Sequence, residues 1–503
     1  MSAAAWRLVW TWAGHRGTAT DVDAQWTERT ELYGGTSRRQ VSVSFHPAGL
    51  SVAAVVEAGL HPAYGYGELY LGSLLVIAGP WLEAEYGVDG EPLTVTLSES
   101  ADDDRGVWPP VSGVTRDVDA SVDAWDDRRS GRITREGWAL ANDAAIGAAV
   151  PVVIGSPGSS SAPAVPAYVV LRAAPSVQVA VHAGRAAGSI RVWGVDQSAP
   201  GAGVTPTPIA ALSASTLASG VDAFGSQVTL AVFASGASAG LDYTSGSVYA
   251  TSWEAAEGVP GPAGWLIQEI ALASSARIDH GSISAAASYL NGYRFDGYLD
   301  DRVSPLGLIQ SQIAPLLPVS LISTTDGVGL VIWPWVDGQH HGSAHVIAGP
   351  GFALASRVRY EGSPMSSLSL SYGYNALTGL YTRTATASAG TSAHARLAMG
   401  VAGAALGRDE IQSRLIWSEA TAGRIVQDRM SQLALPRRRI DYVCDPAIYG
   451  VGGSRELRVG QQIDLTDAAL RLSRRSAVIS GVERSATSLR VTCQLRDDAL
   501  RWR

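Results

Sequence analysis

The chain has 503 residues, 46% of them apolar, with 55 glycines and 24 prolines, which excludes a disordered polymer and leaves room for about three or four domains. Its 38 basic side chains are all arginine, set against 46 acidic ones for a net charge of -8. That balance argues against a surface built to grip nucleic acid, which needs net cationic patches.

The first ~115 residues alternate apolar and polar positions, as in Trp6, Leu8, Trp10, Trp12, then Val41, Val43, Phe45, then Leu93, Val95, Leu97. Each run predicts a strand with one wet face. Gly65-Tyr66-Gly67 and Gly87-Val88-Asp89-Gly90 supply tight turns. An antiparallel sandwich or barrel over 1–115 follows. Met1 to Gly14 reads as a strand and not as a signal peptide, because its tryptophans alternate with polar residues.

Residues 116–150 read as a segment crossing the surface between domains, continuing from the acidic cluster Asp102, Asp103, Asp104 into Asp117, Asp119, Asp123, Asp126 and Asp127. A calcium loop is the sharper alternative, but the alternating oxygen ligands, central glycine and distal glutamate of an EF-hand are missing. A second β region is expected over 151–262, opened by Val150-Pro151-Val152-Val153-Ile154-Gly155 and a flexible Ser/Pro/Gly stretch from Gly155 to Pro166, with later strands at Val177 to Val181, Ser189 to Val195 and Gln227 to Phe233. Deletion of Ser156 to Pro163 is expected to be tolerated. Ala144 to Ile154, the most apolar run, is short and holds a proline, so no membrane span is expected.

Residues 263–350 predict a small α/β module. Leu266, Ile267, Ile270, Ala271 and Ser274 share a helix face; Ser282 to Leu290 and Ser304 to Leu316 follow as short helices, with Ser282 and Ser304 as caps and Pro305 in a first turn. Val319 to Ile322 and Gly329 to Trp335 then form a hairpin around Asp326-Gly327. Over 351–503 the β pattern returns, interrupted by a helix at 419–433 whose stripe Ala422, Ile425, Val426, Arg429 and Leu433 is apolar but for Arg429. That stripe is expected to pack on the C-terminal β-domain.

Candidates for chemistry are few. Gly236-Ala237-Ser238-Ala239-Gly240 matches a nucleophile-elbow pattern, yet the turn-rich Leu241 to Gly246 replaces the helix an elbow must enter. His340, His341 and His345 offer an i, i+4 pair, but Gly338 and Gly342 disfavour the helix that would align two imidazoles on a metal. Asp300-Asp301 reads as an exposed salt-bridged turn. Cys444 and Cys493 lie on the apolar parity of two strands and are expected as buried free thiols, with a disulfide between neighbouring strands as the alternative. Catalytic, metal and cofactor-binding residues are therefore expected to be absent.

Leu457-Arg458-Val459-Gly460-Gln461-Gln462-Ile463-Asp464-Leu465, with Ala477 to Glu483 and Leu489 to Leu495, resembles the closing β-barrel of phage tail hub proteins. The 419–433 helix, followed by Pro436-Arg437-Arg438-Arg439, looks like the helix and basic-flanked strand before that barrel. Leu266 to Trp335 is similar to the central α/β part of hubs of long-tailed phages and gene transfer agents, and Gly67 to Gly72 with Gly90 to Val95 resembles N-terminal strands of the same group. The resemblance implies a mainly β, multi-domain chain with two tail-hub β-barrel domains, 1–115 and 351–503, plus peripheral domains. It implies a homotrimer whose six barrels adapt a sixfold tail tube to a threefold tip and let genomic DNA pass without sequence-specific binding. The implied partners are a distal tail protein, the tape measure protein and tail fibre or other tail-tip proteins, in a virion tail tip assembled in the bacterial cytoplasm. The chain ends directly after the resembling barrel and lacks the four cysteines of iron–sulfur tip proteins, so no enzyme and no cofactor is expected. A receptor- or carbohydrate-binding adhesin, equally β-rich and aromatic, is the competing reading.

Overall fold

The computed structural model describes residues 6–31, 38–47, 50–58, 65–86, 92–99, 104, 108, 133, 138–139, 141, 143–173, 176–196, 211–213, 216–221, 227–234, 247–300, 303–324, 326–333, 344–349, 353–361, 365–388, 407–433, 437–449, 456–484 and 489–495. Among the described residues 57% are strand and 18% helix, a mainly β chain with two nearly closed barrel-like sheets and several domains.

The N-terminal strands are β1 (Trp6–Trp12), β2 (His15–Ala19), β3 (Val22–Glu31), β4 (Arg38–Phe45), β5 (Tyr66–Leu71), β6 (Leu74–Tyr86) and β7 (Leu93–Glu99). Their alternation turns Leu8, Trp10, Trp12, Val41, Val43, Phe45, Trp81, Leu93, Val95 and Leu97 into one core. Trp12 packs on Trp81 with ring centroids 5.8 Å apart, and Phe45 meets Trp81 edge-on. The β1–β2 turn places Ala13 and Gly14 both at positive φ, 53° and 77°, the twist that joins two antiparallel strands through two residues.

The second group is β8 (Val152–Ile154), β9 (Val165–Ala173), β10 (Ser176–Ala183), β11 (Ala187–Asp196), β12 (Ala211–Ser213), β13 (Thr216–Val221), β14 (Gln227–Ala234) and β15 (Ser247–Glu257). Seven of them form a sheet in the order β12-β11-β15-β9-β10-β14-β13. The eighth, β8, leaves that sheet and pairs with β16 (Gly297–Leu299). Because side chains alternate across a strand, Val153 and Tyr298 join the core of the seven-stranded sheet while Val152, Ile154 and Leu299 join the central core.

That central core gathers helices 263–272 and 280–290, the helical run 305–316, the hairpin β17 (Val319–Thr324) and β18 (Gly327–Ile332), and the helix Glu419–Leu433. Asp279, not Ser282, caps the second helix, its carboxylate accepting from Ser282 N–H at 3.0 Å; Ser304 caps the third as expected, accepting from Gly307 N–H at 3.2 Å. The hairpin is two-sided as well: Val319, Val328 and Leu330 enter the central core, and Ile322 the C-terminal one.

The remaining strands are β19 (Ala344–Ala348), β20 (Ala353–Glu361), β21 (Met365–Asn375), β22 (Leu380–Ser388), β23 (Gly407–Gln412), β24 (Arg437–Cys444), β25 (Gln462–Asp467), β26 (Leu472–Arg484) and β27 (Leu489–Leu495). β21, β22 and β23 form their own three-stranded sheet, and its Leu368, Leu370 and Tyr372 feed the central core. The other six close around Ile440, Tyr442, Ile463, Leu465, Ile479, Val491 and Cys493. They are hydrogen-bonded to the N-terminal strands in one 13-stranded sheet, ordered β2-β1-β5-β6-β7-β4-β3-β26-β27-β24-β20, with β25 on β26 and β19 on β25.

Three further expectations are corrected. The 419–433 helix does not pack on the C-terminal barrel: Ala422, Ile425 and Val426 lie in the central core, and the helix lies against β21 and β22. Its Arg429 is accommodated by donating to Pro315 C=O and lying over the Trp333 ring. The stretch after Gly155 is not a flexible surface segment. Pro157, Gly158 and Pro163 are buried; Ser156 N–H donates to Asp296 Oδ1, Trp253 N–H to Pro157 C=O and Ala376 N–H to Pro163 C=O. Gly155 itself sits at φ +62°, where a Cβ would come within 2.4 Å of Phe295 C=O. Finally, Asp104, read as part of a solvated acidic run, is 3% exposed and accepts from Ser275 N–H, Ser275 Oγ–H and Leu306 N–H.

Two outcomes follow. Ile425→Asp places a carboxylate in the central core, and denaturant titration should show a loss of about 4 kcal/mol. Deleting Ser156 to Pro163 should leave no soluble folded chain; a deletion protein with wild-type circular dichroism would contradict the packing described.

Candidate functional site

The two ends of the chain meet along β26. β26 is long enough for two neighbours along one edge: its first half pairs β25, and Gly481, Val482, Glu483 and Arg484 pair Glu31, Thr30, Arg29 and Glu28 of β3. A β-bulge between Ile479 and Gly481 in its pairing with β27 lies where the neighbour changes. A bulge bends a strand and increases its twist, which lets one strand turn a barrel corner. Ser480, the extra residue, is fully buried and donates to Thr492 C=O at 3.3 Å. The register sets Glu483 opposite Arg29 and Arg484 opposite Glu28, and Glu483 Oε2 accepts from Arg490 Nη1–H of β27 at 3.3 Å.

Polar joints hold the other bodies to this frame. Asp296 Oδ1 accepts from Ser156 N–H and Arg294 Nε–H, both at 2.9 Å, while the same guanidinium donates to Glu257 Oε1 at 2.9 Å. Burial raises the Asp296 carboxyl above the usual carboxylate range, opposed by the Ser156 N–H and by Arg294. Arg414 donates to Asp300 at 2.6 Å and lies 4.8 Å from the centre of the Tyr374 ring, which packs on Tyr298 and Tyr381. Tyr293 donates to Asp428, and Arg424 lies over the rings of Tyr293 at 4.2 Å and Tyr289 at 5.2 Å, tying the 419–433 helix to the helix 280–290 and the turn after it. His182 is buried against Trp253, and its Nδ1 accepts from Val153 N–H at 3.0 Å, so the proton is on Nε2. These joints clamp surfaces together; none brings a nucleophile, a base and an acceptor pocket to one point.

Ser238, His340 and His341, Asp301 and the acidic positions 102–103 and 117–127 lie outside the described residues, as does the side chain of His345, whose backbone pairs with Asp464 in β19. Asp300 is exposed and salt-bridged as expected. Cys444 and Cys493 are free and buried. Cys444 stands opposite Leu489 and Cys493 opposite Ile440, an offset of four residues or about 13 Å along the strands, beyond disulfide reach. Burial pushes the Cys444 thiol up to about 12 and Cys493 higher still, so both stay protonated. Among the described residues no group of three or more His, Cys, Asp or Glu could hold a metal ion, and no helix is long and apolar enough to cross a membrane. Sequence reasoning missed Asp104, His182 and the Arg294–Asp296 pair. Asp104 carries no local signal separating it from its acidic neighbours, whereas His182, alone among Val177, Val179, Ala180 and Val181, was the one visible anomaly.

No protein-family model matches the sequence, and no curated protein does. The solved structures to which the chain is similar are phage-type tail proteins. They include the 43 kDa tail protein of prophage MuSo2 from Shewanella oneidensis, 9% identical over 98% of this chain and 99% of that one with a TM-score of 0.38. Prophage tail protein gp18 from Listeria monocytogenes is 6% identical over 97% and 94%, with a TM-score of 0.34. A chain of the virion of a native gene transfer agent particle is 12% identical over 74% and 90%, with a TM-score of 0.42.

Burial pushes His182 down to about 4. The unfolded chain takes up this proton below about 6.5 and the folded chain only near 4. The stability from its neutral burial is therefore complete above 6.5 and is lost as pH falls toward 4, up to about 3 kcal/mol. Denaturant titrations at pH 7 and 4.5 should show a smaller acid loss for His182→Asn than for the wild type. Equal losses would contradict the assignment.

Proposed function

We propose that the chain is a structural hub of a phage-type tail tip. Three copies form a ring in which each contributes its N-terminal and C-terminal barrel, matching a sixfold tube on one side and a threefold tip on the other. The observation that carries this reading is the β3–β26 pairing. It sets the two terminal β-units side by side in one continuous sheet, the arrangement needed if each chain supplies two adjacent sectors of a ring. The motif resemblance at both ends of the sequence supports it independently.

In this role the central core and the seven-stranded sheet sit outside the ring as peripheral bodies, and the neighbours along the tail axis are a distal tail protein, the tape measure protein and fibre or other tip proteins. The lumen passes DNA without holding it, consistent with a lysine-free chain of net charge -8. The role needs no cofactor and no chemical step. An adhesin that stacked sugars on the N-terminal tryptophans is disfavoured, because Trp10 and Trp12 are 3% and 1% exposed. A reconstruction of the intact particle should place three copies around the tail axis at the tip. Six copies, or a position away from the axis, would overturn the proposal.

A further inference from the structure

Each terminal β-unit carries an exposed patch of one charge, basic at the C-terminal end and acidic at the N-terminal end. At the C-terminal end, the tip of the β25–β26 hairpin exposes Arg471 in the turn and Arg474 and Arg475 at the start of β26. This tip is held rigid: buried Asp467 accepts from Tyr442 Oη–H at 3.0 Å and from Leu470 N–H at 3.1 Å, Thr466 Oγ1 accepts from Arg474 N–H at 3.2 Å, and Leu472 is buried between the arginines. Arg471 and Arg474 both adopt left-handed backbone, φ +56° and +46°. Glycine or asparagine suits such positions better, so the turn itself gives no reason for arginine at either. Among the described residues, neither has an ion-pair partner.

At the N-terminal end, the pairing registers align Asp23 of β3 with Ser44 of β4, Thr94 of β7 and Glu85 of β6 in one row across four strands. The Ser44 and Thr94 hydroxyls lie 2.8 Å apart, confirming a shared face. Two residues along, Ser42, Thr96 and Glu83 form the next row of the same face. Asp23, Glu83 and Glu85 are exposed and sit among small hydroxyl side chains. Carboxylates and hydroxyls are the acceptors that planar guanidinium forks bind. In the antiparallel β3–β26 register, Asp23 lies beyond Glu28 in one direction and Arg474 beyond Arg484 in the other, up to roughly 50 Å apart along the strands.

We infer that the Arg471/Arg474 hairpin of one copy docks on the Asp23/Glu83/Glu85 face of a second copy of this chain. The contact is head-to-tail: two different patches meet, and repetition closes a threefold ring when each copy is rotated by a third of a turn from the last. Charge complementarity also fixes which edge meets which and suppresses the like-end pairing. The inference rests on the ring reading above and supplies its contact.

The test is the mass of the full-length protein in solution, by light scattering, for wild type, R471E/R474E, E83R/E85R and the four-site combination, with thermal melts to show that each variant folds. The expected result is a threefold wild-type particle that dissociates as salt is raised, at least tenfold weaker association for each double swap, and recovery in the combination. A threefold wild type with both double swaps still threefold overturns this contact and leaves the ring reading standing. A wild type that stays monomeric overturns the ring reading and this contact with it. Salt-dependent binding of duplex DNA that is lost in R471E/R474E, with the ring unaffected, would assign the hairpin to nucleic acid and overturn the contact.

Discussion

Two strands nearly 450 residues apart in sequence, β3 and β26, lie hydrogen-bonded side by side, and the rest of the architecture follows from that pairing. The chain stays in the shared sheet through β7, leaves it, and returns at β19. The stretch between folds outward, as a central α/β core and a seven-stranded sheet, while the shared sheet itself stays continuous. The closure entropy of so long a loop grows only slowly with its length, so it is offset by the burial and hydrogen bonds of the bodies that the loop contains.

Bodies hung on a sheet would move as beads unless something joined them, and the joints share one design. Two short two-stranded elements each place one face in one core and the other face in a second: β8–β16 joins the central core to the seven-stranded sheet, and β17–β18 joins it to the C-terminal barrel. A strand does this cheaply, since alternate side chains already point to opposite faces. Beside the β8–β16 joint, Asp296 is held by Ser156 N–H and by Arg294, and within the central module Asp104 is held by Ser275 and Leu306. A buried carboxylate left unpaired would cost far more than it contributes when paired, so such seams resist opening.

Local periodicity made most of the elements legible. The alternating Trp6 to Trp12 run, the Val319 to Ile332 hairpin with its Asp326-Gly327 turn and the 419–433 helix all follow from side-chain spacing, because an element one side of which is buried must repeat its apolar positions at its own period. What each element packs against was not legible. The Ile425 and Val426 stripe says only that one helix face is buried, and it fits the central core as well as a barrel. The stretch after Gly155 has the composition of a linker, yet its prolines and glycines are used for close packing beside Ser252 and Phe295, where larger side chains would not fit. The β3–β26 pairing is invisible for a different reason: the charged Glu28, Arg29 and Glu483, Arg484 look like solvated strand ends until the register sets them opposite each other. The site follows the same rule. The exposed arginine hairpin and the acidic row emerge only when strands are aligned.

The central claim is that the two ends of a single chain form one sheet, and a cysteine pair across the seam tests it most directly. Arg29 and Glu483 are directly opposite in the register, and Glu483 is exposed, so Arg29→Cys with Glu483→Cys puts two thiols at disulfide distance without disturbing a core. The native thiols are buried and protonated, and do not compete. Under mild oxidation the account predicts an intrachain disulfide, seen as a faster monomer band on a non-reducing gel and as a linked peptide pair by mass spectrometry, while Thr27→Cys with Glu483→Cys remains unlinked. No link in the matched pair, equal linking in the offset pair, or a link only between chains would contradict it.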